Sequence, residues 1–438
     1  MGIKVAKFGG SSVADAIQLM KIKDIILADE NRKYIVVSAP GKRFSGDTKI
    51  TDLLYLCKTH MDHNVPYDQL LQVIEDRYVA AAVSLGIDVD YAKEFAIIKN
   101  EMATGAATAD YLASRGEYLN ALLIAKLLGF DFVDAYSIVK FNKKGKLDED
   151  ETNRLIAEEL AKHEKAVIPG FYGQSHDGKV KTFSRGGSDI TGSLVARAVG
   201  AEIYENWTDV SGFLVTDPRI VPEAKPMAYV SYQELRELSF MGASVLHDEA
   251  IYPVKVANIP INIRNTNRPD DAGTIISNDG DKNSTRPITG IAGSKAFTSI
   301  NISKSMMSTE VGFIRRMCSI LEENGVCVEH VPSGIDTVSV VVKNSSIGDK
   351  VEDVIEEMER VLKPDTIDYS DDMAIIATVG QGMAKKRGTA AKLFAALAQA
   401  EVNIRMIDQG SSEINIIVGV DNADFEKAVK AIYNAFEF

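Results

Sequence analysis

Lys7 stands just ahead of two glycines and two serines in the run Lys7-Phe8-Gly9-Gly10-Ser11-Ser12-Val13-Ala14. Glycines let backbone N–H groups approach a phosphate, a following helix adds positive potential at its start, and the lysine places a full charge at the same mouth. The alternative is a tight turn with a surface lysine. A second glycine turn, Ser184-Arg185-Gly186-Gly187-Ser188-Asp189, also opens a helix. It offers Arg185, whose guanidinium can grip a carboxylate through two parallel hydrogen bonds. It also offers Ser188 as an N-cap candidate. Asp189, in the first helical turn, is placed to orient Lys7 or to hold a metal; its alternative role is to complement the helix dipole. A third segment, Trp207-Thr208-Asp209-Val210-Ser211-Gly212 followed by Thr216-Asp217-Pro218-Arg219, comes after a strand. Ligand loops of α/β sheets sit at that end of strands, although Asp-Pro is also an ordinary turn pair. No Gly-x4-Gly-Lys-Ser/Thr string occurs, so a P-loop is not expected.

Alternating strands and helices must carry these loops. Residues 3–8 and 34–38 read as short buried strands, and 14–27, 51–63, 67–85 and much of 91–128 have helical periodicity. Residues 166–172 and 179–183 flank Asp177-Gly178, a hairpin turn. A helix over 188–199 is followed by a strand over 201–206. This rhythm predicts an α/β sandwich with a largely parallel sheet. Turn-rich polar sequence between 264 and 287 marks a domain boundary.

The last third contains an internal repeat. Residues 312–342 align without gaps to 388–418, with Gly334 falling on Gly410 and Val342 on Val418. Each copy reads strand–helix–strand–strand–helix. The first continues into a further strand at 366–369, whereas the counterpart in the second would lie beyond Phe438. A sheet short of one strand exposes an edge, so residues 288–292 are expected to supply it and nest the first repeat inside the second.

Composition narrows the function. The 438 residues exceed one ordinary core, and 45% hydrophobic with 25% charged residues is the balance of a globular protein. A net charge of −13 disfavours a nucleic-acid surface. There is no apolar run long enough to predict a membrane span, and no signal-peptide pattern at the N-terminus. Cys57, Cys318 and Cys327 form no CxxC pair and read as small buried hydrophobes in a reducing, cytoplasmic compartment. The six histidines show no metal-ligand spacing, and no side chain is assigned as a resident metal ligand.

Taken together, these segments resemble the aspartate kinase family. Its opening signature stands intact at residues 7–14. Val37-Ser38-Ala39, Ile50-Thr51-Asp52-Leu53-Leu54, Ser114-Arg115-Gly116-Glu117, Arg185-Gly186-Gly187-Ser188-Asp189, Trp207-Thr208-Asp209-Val210 and Gly242-Ala243-Ser244-Val245-Leu246-His247 follow in family order. The repeated tail resembles paired ACT domains. The resemblance implies an amino-acid-kinase-type three-layer sandwich over 1–287, followed by two ferredoxin-like βαββαβ ACT domains, one at 296–370 and one made of 288–295 plus 371–438. It implies ATP and Mg²⁺, L-aspartate as acceptor at its β-carboxylate, and entry into the route to lysine, threonine and methionine. With the second repeat reaching to Phe438, a monofunctional enzyme is expected.

Residue roles follow from the same resemblance. Lys7 and Asp189 would be catalytic, with Gly9, Gly10 and Ser11 on phosphate. Ser38, Thr51, Glu117, Arg185 and Ser188 would hold aspartate, Arg185 on the α-carboxylate and Glu117 near the ammonium. Thr208, Asp209, Leu214, Arg219, Ser244 and Val245 would contact ATP or its metal. Many relatives carry tyrosine at the position of Leu214, lysine at Ser244 and proline at Asp248, so the way the base is held here departs from the family. The loop over 41–49 is longer than in many relatives and reads as a lid. An inhibiting amino acid, lysine or else threonine, would contact Met307, Gly312, Phe313, Val326, Cys327, Val328 and Glu329. Glu329 is placed to pair with a lysine ammonium, unless it is simply a solvated strand residue, and its counterpart in the second repeat is Arg405. Paired ACT domains imply a homodimer or a dimer of dimers. The competing readings are a related kinase with another acceptor and a catalytically silent amino-acid sensor.

Overall fold

The structure, a computed structural model, describes residues 2–184, 186–242, 248–281 and 285–438, with backbone alone at 248 and 249. It contains two compact units. The first takes Met1–Phe213, Pro226–Tyr232 and Leu246–Asp281, and the second takes Leu214–Lys225, Gln233–Val245 and Lys282–Phe438.

Eight strands form the sheet of the first unit: β1 (Lys4–Phe8), β2 (Arg32–Val37), β3 (Asp131–Phe132), β4 (Ala166–Pro169), β5 (Ile203–Thr208), β6 (Tyr229–Ser231), β7 (Ile261–Asn265) and β8 (Thr274–Ser277). Their order is β3-β4-β2-β1-β5-β7-β8-β6, and all neighbours are parallel except β7 and β8. The turn-rich stretch over 264–287 thus still contributes a strand, β8, to this sheet. A separate hairpin pairs Tyr172–Gln174 with Val180–Thr182 around Gly178. Residues 166–172 therefore split, the first four entering the main sheet.

Side-chain alternation divides the two faces. Ala6, Phe8, Ile35, Val37 and Trp207 point to one core together with α1 (Ala16–Leu27), α2 (Ile50–Asp62), α3 (Asp68–Leu85), α4 (Tyr91–Ala103) and α5 (Ala109–Leu128). The helical pattern over 91–128 breaks at Thr104 and Gly105, and Thr108 caps α5 by accepting from the Tyr111 N–H at 3.1 Å. On the other face lies α6 (Gly187–Ala198). Its cap is Gly186 at φ 58°, not Ser188, which lies inside the first turn. Glycine takes that left-handed conformation without strain.

Beneath the sheet's central strands Glu205 is 2% exposed. It accepts from Arg32 Nε at 2.7 Å and Nη2 at 3.1 Å, and from the Trp207 indole at 2.9 Å. Arg32 and Arg264 lie over the Trp207 ring at 5.3 and 4.6 Å, so the one tryptophan is fixed by cations and a buried carboxylate.

In the second unit six strands make one antiparallel sheet: β9 (Gly290–Ser303), β10 (Val328–His330), β11 (Thr337–Lys343), β12 (Thr366–Val379), β13 (Met406–Asp408) and β14 (Asn415–Val420), in the order β10-β11-β9-β12-β14-β13. The two repeats share β9 and β12. The first half of β9 pairs Gly290–Ala292 with Ala377–Val379, inside the second repeat, and the second half runs through the first repeat from Phe297 to Ser303. The strand expected from 288–292 is thus in the second repeat's ladder, although it belongs to a strand twice the usual length. Matching helices, α7 (Phe313–Glu323) and α9 (Thr389–Gln399), start from the repeat-equivalent glycines Gly312 and Gly388, both at positive φ. The second helix of each repeat is α8 (Val351–Leu362) in the first and α10 (Phe425–Ala435) in the second. Of the three cysteines only Cys57 is buried; Cys318 is half-buried and Cys327 exposed, which corrects the expectation that all three are core residues.

Glu205→Ala is expected to destabilise the protein by about 3–5 kcal/mol, because it strands the Arg32 guanidinium away from water. Chemical denaturation of the variant beside the parent checks this.

Candidate active site

The register of the sheet assembles the centre of the site. Lys7 pairs with Asn206 across β1 and β5, so both side chains leave the same face, toward α6. There Lys7 Nζ meets Asp189 Oδ1 at 2.7 Å, and Asn206 Nδ2 donates to the same oxygen at 2.8 Å. The Lys7 side chain is 9% exposed and that of Asp189 21%. A lysine this deeply placed stays put only because a carboxylate partners it. Asn206 was missed by sequence reasoning, although its matching position on the neighbouring strand could have revealed it.

The glycine loop turns just above. Gly9 N–H donates to Trp207 O at 3.0 Å, and Gly41 N–H donates to Gly10 O at 2.8 Å. A Cβ on Gly41 would lie 2.6 Å from Gly10 C, so the two loops touch backbone to backbone. Residues Gly10–Val13 form a single 3-10 turn before α1, and Ser11 is exposed on it. The Ser12 hydroxyl is held against Thr266 at 2.7 Å. The first turn of α6 approaches as closely on another side: Gly170 would meet Ser188 at 2.7 Å if it carried a Cβ. Thus Ser188, 8% exposed, is fixed against the end of β4.

Ser38, Thr51 and Glu117 converge through backbone neighbours. Asn120 Nδ2 donates to Ser38 O at 2.7 Å. Gly116 on α5 sits so close that its Cβ would lie 2.7 Å from Ala39 and 3.4 Å from Ile50, the residue before Thr51. Burial pushes the Glu117 carboxyl up to about 8, and a hydrogen bond from the Ala39 backbone offsets part of that rise. Its Oε2 is buried with no hydrogen-bond partner among the described residues. An orphaned buried carboxylate oxygen fits a cationic ligand group.

The loop over 41–49 is anchored by Arg77, 9% exposed, which donates to Gly41 O and Thr48 O and pairs with Asp47 at 3.4 Å. Between these roots residues 42–46 are exposed. Thr208 ends β5, and its hydroxyl donates to the exposed Asp209 at 3.2 Å.

Arg185, Ser244 and Val245 fall outside the described residues. Leu214 and Arg219 belong to the second unit. Arg219 is exposed and paired to Asp217 at 2.6 Å, while Val215 joins the second unit by accepting from the Ile291 N–H at 2.7 Å. In the first repeat Met307, Phe313 and Val326 have their side chains in the core, Gly312 caps α7, and Cys327 and Val328 are exposed. The Glu329 side chain is only 6% exposed, pairs with Lys343 at 3.4 Å and leaves Oε2 buried without a partner among the described residues. It is therefore not a solvated strand residue.

Comparison with known proteins accords with this geometry. The amino acid kinase family model matches residues 2–265 and an ACT domain model matches 376–436. Aspartokinase 3 of Bacillus subtilis is 38% identical over 448 residues, covering 99% of this chain and 98% of that one. The crystal structure of Clostridium acetobutylicum aspartate kinase superposes with a TM-score of 0.93 at 53% identity, over the whole of both chains. Escherichia coli aspartokinase III, in complex with lysine and aspartate (T-state), superposes at 0.75 with 26% identity, covering 99% of this chain and all of that one. Its complex with aspartate and ADP (R-state) superposes at 0.71 with the same identity, covering 99% of each chain. The chain belongs to the aspartokinases, the members of the amino acid kinase family that carry C-terminal ACT domains, and is an aspartate kinase under allosteric regulation.

Proposed function

We propose that the site transfers the γ-phosphoryl group of Mg-ATP to the β-carboxylate of L-aspartate, giving 4-phospho-L-aspartate. The observation that carries this reading is the Lys7–Asp189–Asn206 cluster at the root of the glycine loop, with Gly10 of that loop and Gly116, the neighbour of the orphaned Glu117, both packed against Ala39. A β-carboxylate with a pKa of about 3.9 is already ionised at neutral pH and needs no general base. The obstacle is that an anion must approach a polyanion. Lys7 and the N–H groups of residues 10 and 11 place positive charge where negative charge gathers, and Asp189 keeps Lys7 aimed. Glu117 takes the substrate ammonium, with Ser38, Thr51 and Ser188 around the acceptor and Arg185 on the α-carboxylate.

No group of three or more metal-ligating side chains converges among the described residues. A protein cage is not what Mg²⁺ requires, since it commonly rests on one or two carboxylates plus substrate phosphates. The exposed Asp209, engaged among the described residues by the Thr208 hydroxyl alone, is suited to that. Bound there, the ion would neutralise phosphate charge. Leu214, Arg219, Ser244 and Val245 keep the nucleotide role that family likeness assigns them.

We assign the effector role to lysine, with threonine as the alternative. The E. coli relative is described with lysine bound, and the buried, unpartnered Oε2 of Glu329 is a ready acceptor for an ammonium. Residues 307, 312–313 and 326–328 would frame that ligand largely through backbone, because three of their side chains are committed to the core. The two ACT domains, 296–370 and 288–295 plus 371–438, would pair in a homodimer or dimer of dimers. Residues 1–287 would form the catalytic domain of an enzyme opening the route to lysine, threonine and methionine, acting in the cytoplasm. No described helix is long and apolar enough to cross a membrane.

Lys7→Ala is expected to lower kcat by about a hundredfold or more while the fold persists; a steady-state assay of aspartate-dependent ADP formation, with circular dichroism as control, checks both halves. Glu117 gives a pH signature. Its free-enzyme carboxyl near 8 must ionise to receive the ammonium, so kcat/KM for aspartate should rise with pH toward a plateau above about 8. Glu117→Gln should raise KM and abolish that rise. The stability effect has the opposite sense. A carboxyl raised by burial favours the protonated folded state, so the cost of ionising it is absent below the ordinary carboxylate range and grows as pH climbs to about 8. Glu117→Gln should therefore be more stable than the parent above that pH, the gap closing toward about pH 5 in thermal melts. For the effector, millimolar lysine should suppress activity, and Glu329→Gln should raise the half-inhibiting concentration about tenfold. Inhibition by threonine alone would move the assignment to the alternative.

A further inference from the structure

Repeat-equivalent positions Glu329 and Arg405 carry opposite charges, and their surroundings differ as sharply. Beside Arg405 the second unit holds a cavity of about 440 Å³, on the sheet face opposite the helices of the first repeat. Ser299 and Asn301 line it, whereas Ile300 and Ile302, alternating with them on β9, face the helical core. The cavity lies where the sheet bends. Strands β10 and β13 stand at opposite ends of the strand order, yet His330 Nδ1 and Asp408 Oδ2 are 2.8 Å apart. The sheet therefore curls, and its two edges are clasped to each other.

The lining is chemically one-sided. Arg405 supplies the single full charge in it, and no carboxylate lines it. Its Nη1 donates to Asp372 O at 2.9 Å and Asp421 Oδ1 at 3.1 Å, while Nε and Nη2 have no partner among the described residues. That unused pair of donors is the fork a planar oxyanion accepts. Opposite it, the backbone of the β10–β11 turn is closed on itself, with Gly334 N–H donating to Thr337 O at 2.7 Å and Ser339 N–H to Pro332 O at 2.9 Å. The hydroxyls of Ser333, Thr337 and Ser339 are left without side-chain hydrogen bonds among the described residues. The floor is braced by Ser299 Oγ on Asn301 Oδ1 and by Asn301 Nδ2 on Asp368 Oδ1, both at 2.9 Å.

We propose that this cavity binds a small hydroxylated oxyanion, a carboxylate or a phosphate monoester, anchored on the free edge of Arg405 and hydrogen-bonded by Ser333, Thr337 and Ser339. It is a second regulatory ligand site, chemically complementary to the one at Glu329, which suits a cation. Its size admits a molecule between an amino acid and a monosaccharide. Because β9 and β12 run through both repeats, a ligand seated against them contacts strands that the two repeats share.

The test uses the full chain with its active site saturated by ADP and aspartate, so that anion binding there is already satisfied. Sodium phosphate, glycerol 2-phosphate and L-malate are titrated separately by isothermal calorimetry. At least one should bind saturably, and Arg405→Gln should weaken it about tenfold or more, the loss expected for a charge-assisted pair. The kcat/KM for aspartate should stay unchanged. Binding of the two phosphates alone identifies a phosphate ligand, and binding of malate alone a carboxylate. No saturable binding of any probe, or binding indifferent to Arg405→Gln, overturns the proposal. Should Arg405→Gln fail to fold, Ser339→Val decides by the same criterion, since it removes a hydroxyl and narrows the cavity.

Discussion

Lys7 has to carry a full positive charge at a place nearly shut off from water. A charge so placed is held only if an opposite charge meets it with good geometry, and much of the first unit exists to arrange that meeting. Asp189 must come from α6, which requires the sharp turn at Gly186 and the close passage of Gly170 past Ser188. Asn206 must come from β5, which requires β1 and β5 to be parallel neighbours in one register. The same register turns Phe8 and Trp207 to the opposite face, where Arg32, Arg264 and Glu205 secure them. A slip of one residue would exchange the two faces and destroy both the core and the site.

Glu117 bears the complementary strain. Its carboxyl is buried on α5 at a cost in folding free energy, with one oxygen unpartnered among the described residues. The Ala39 backbone hydrogen bond answers only part of that cost. Sites held in this condition by the surrounding fold are ready for their ligand before it arrives. Lys7 and Glu117 thus differ in kind: the Lys7 ammonium is met by Asp189, whereas one oxygen of Glu117 has no partner among the described residues.

The second unit uses the same economy of strands. Two tandem repeats would ordinarily make two sheets, each with edges to protect. Running β9 and β12 through both leaves only β10 and β13 as edges, and His330 and Asp408 join these. Segments that precede the repeats in sequence, 214–225 and 233–242, also belong to this unit. Glu234 accepts from the Thr289 hydroxyl and the Gln381 N–H, and Glu237 accepts from Asn415.

The sequence by itself determined the glycine turns at 9–10 and 186–187, the meeting of Lys7 with Asp189, the parallel sheet and the repeat with its borrowed strand. Each of these is written in local composition: a glycine where backbone must bend or approach, an alternation that dictates a face, a period that returns after 76 residues. Only the tertiary structure decided what depends on neighbours distant in the chain. Asn206 belongs to the site because β5 lies beside β1. The helical run over 91–128 is two helices because Thr108 caps the second. Ser188 yields its capping position because Gly186 alone can take the left-handed turn. Glu329 and Lys343 are an ion pair because β10 lies beside β11, and Arg405 faces a cavity because the shared strands bring the two repeats together. Charge and periodicity can be read along a chain, but pairing and burial are properties of the packing that brings its distant parts together.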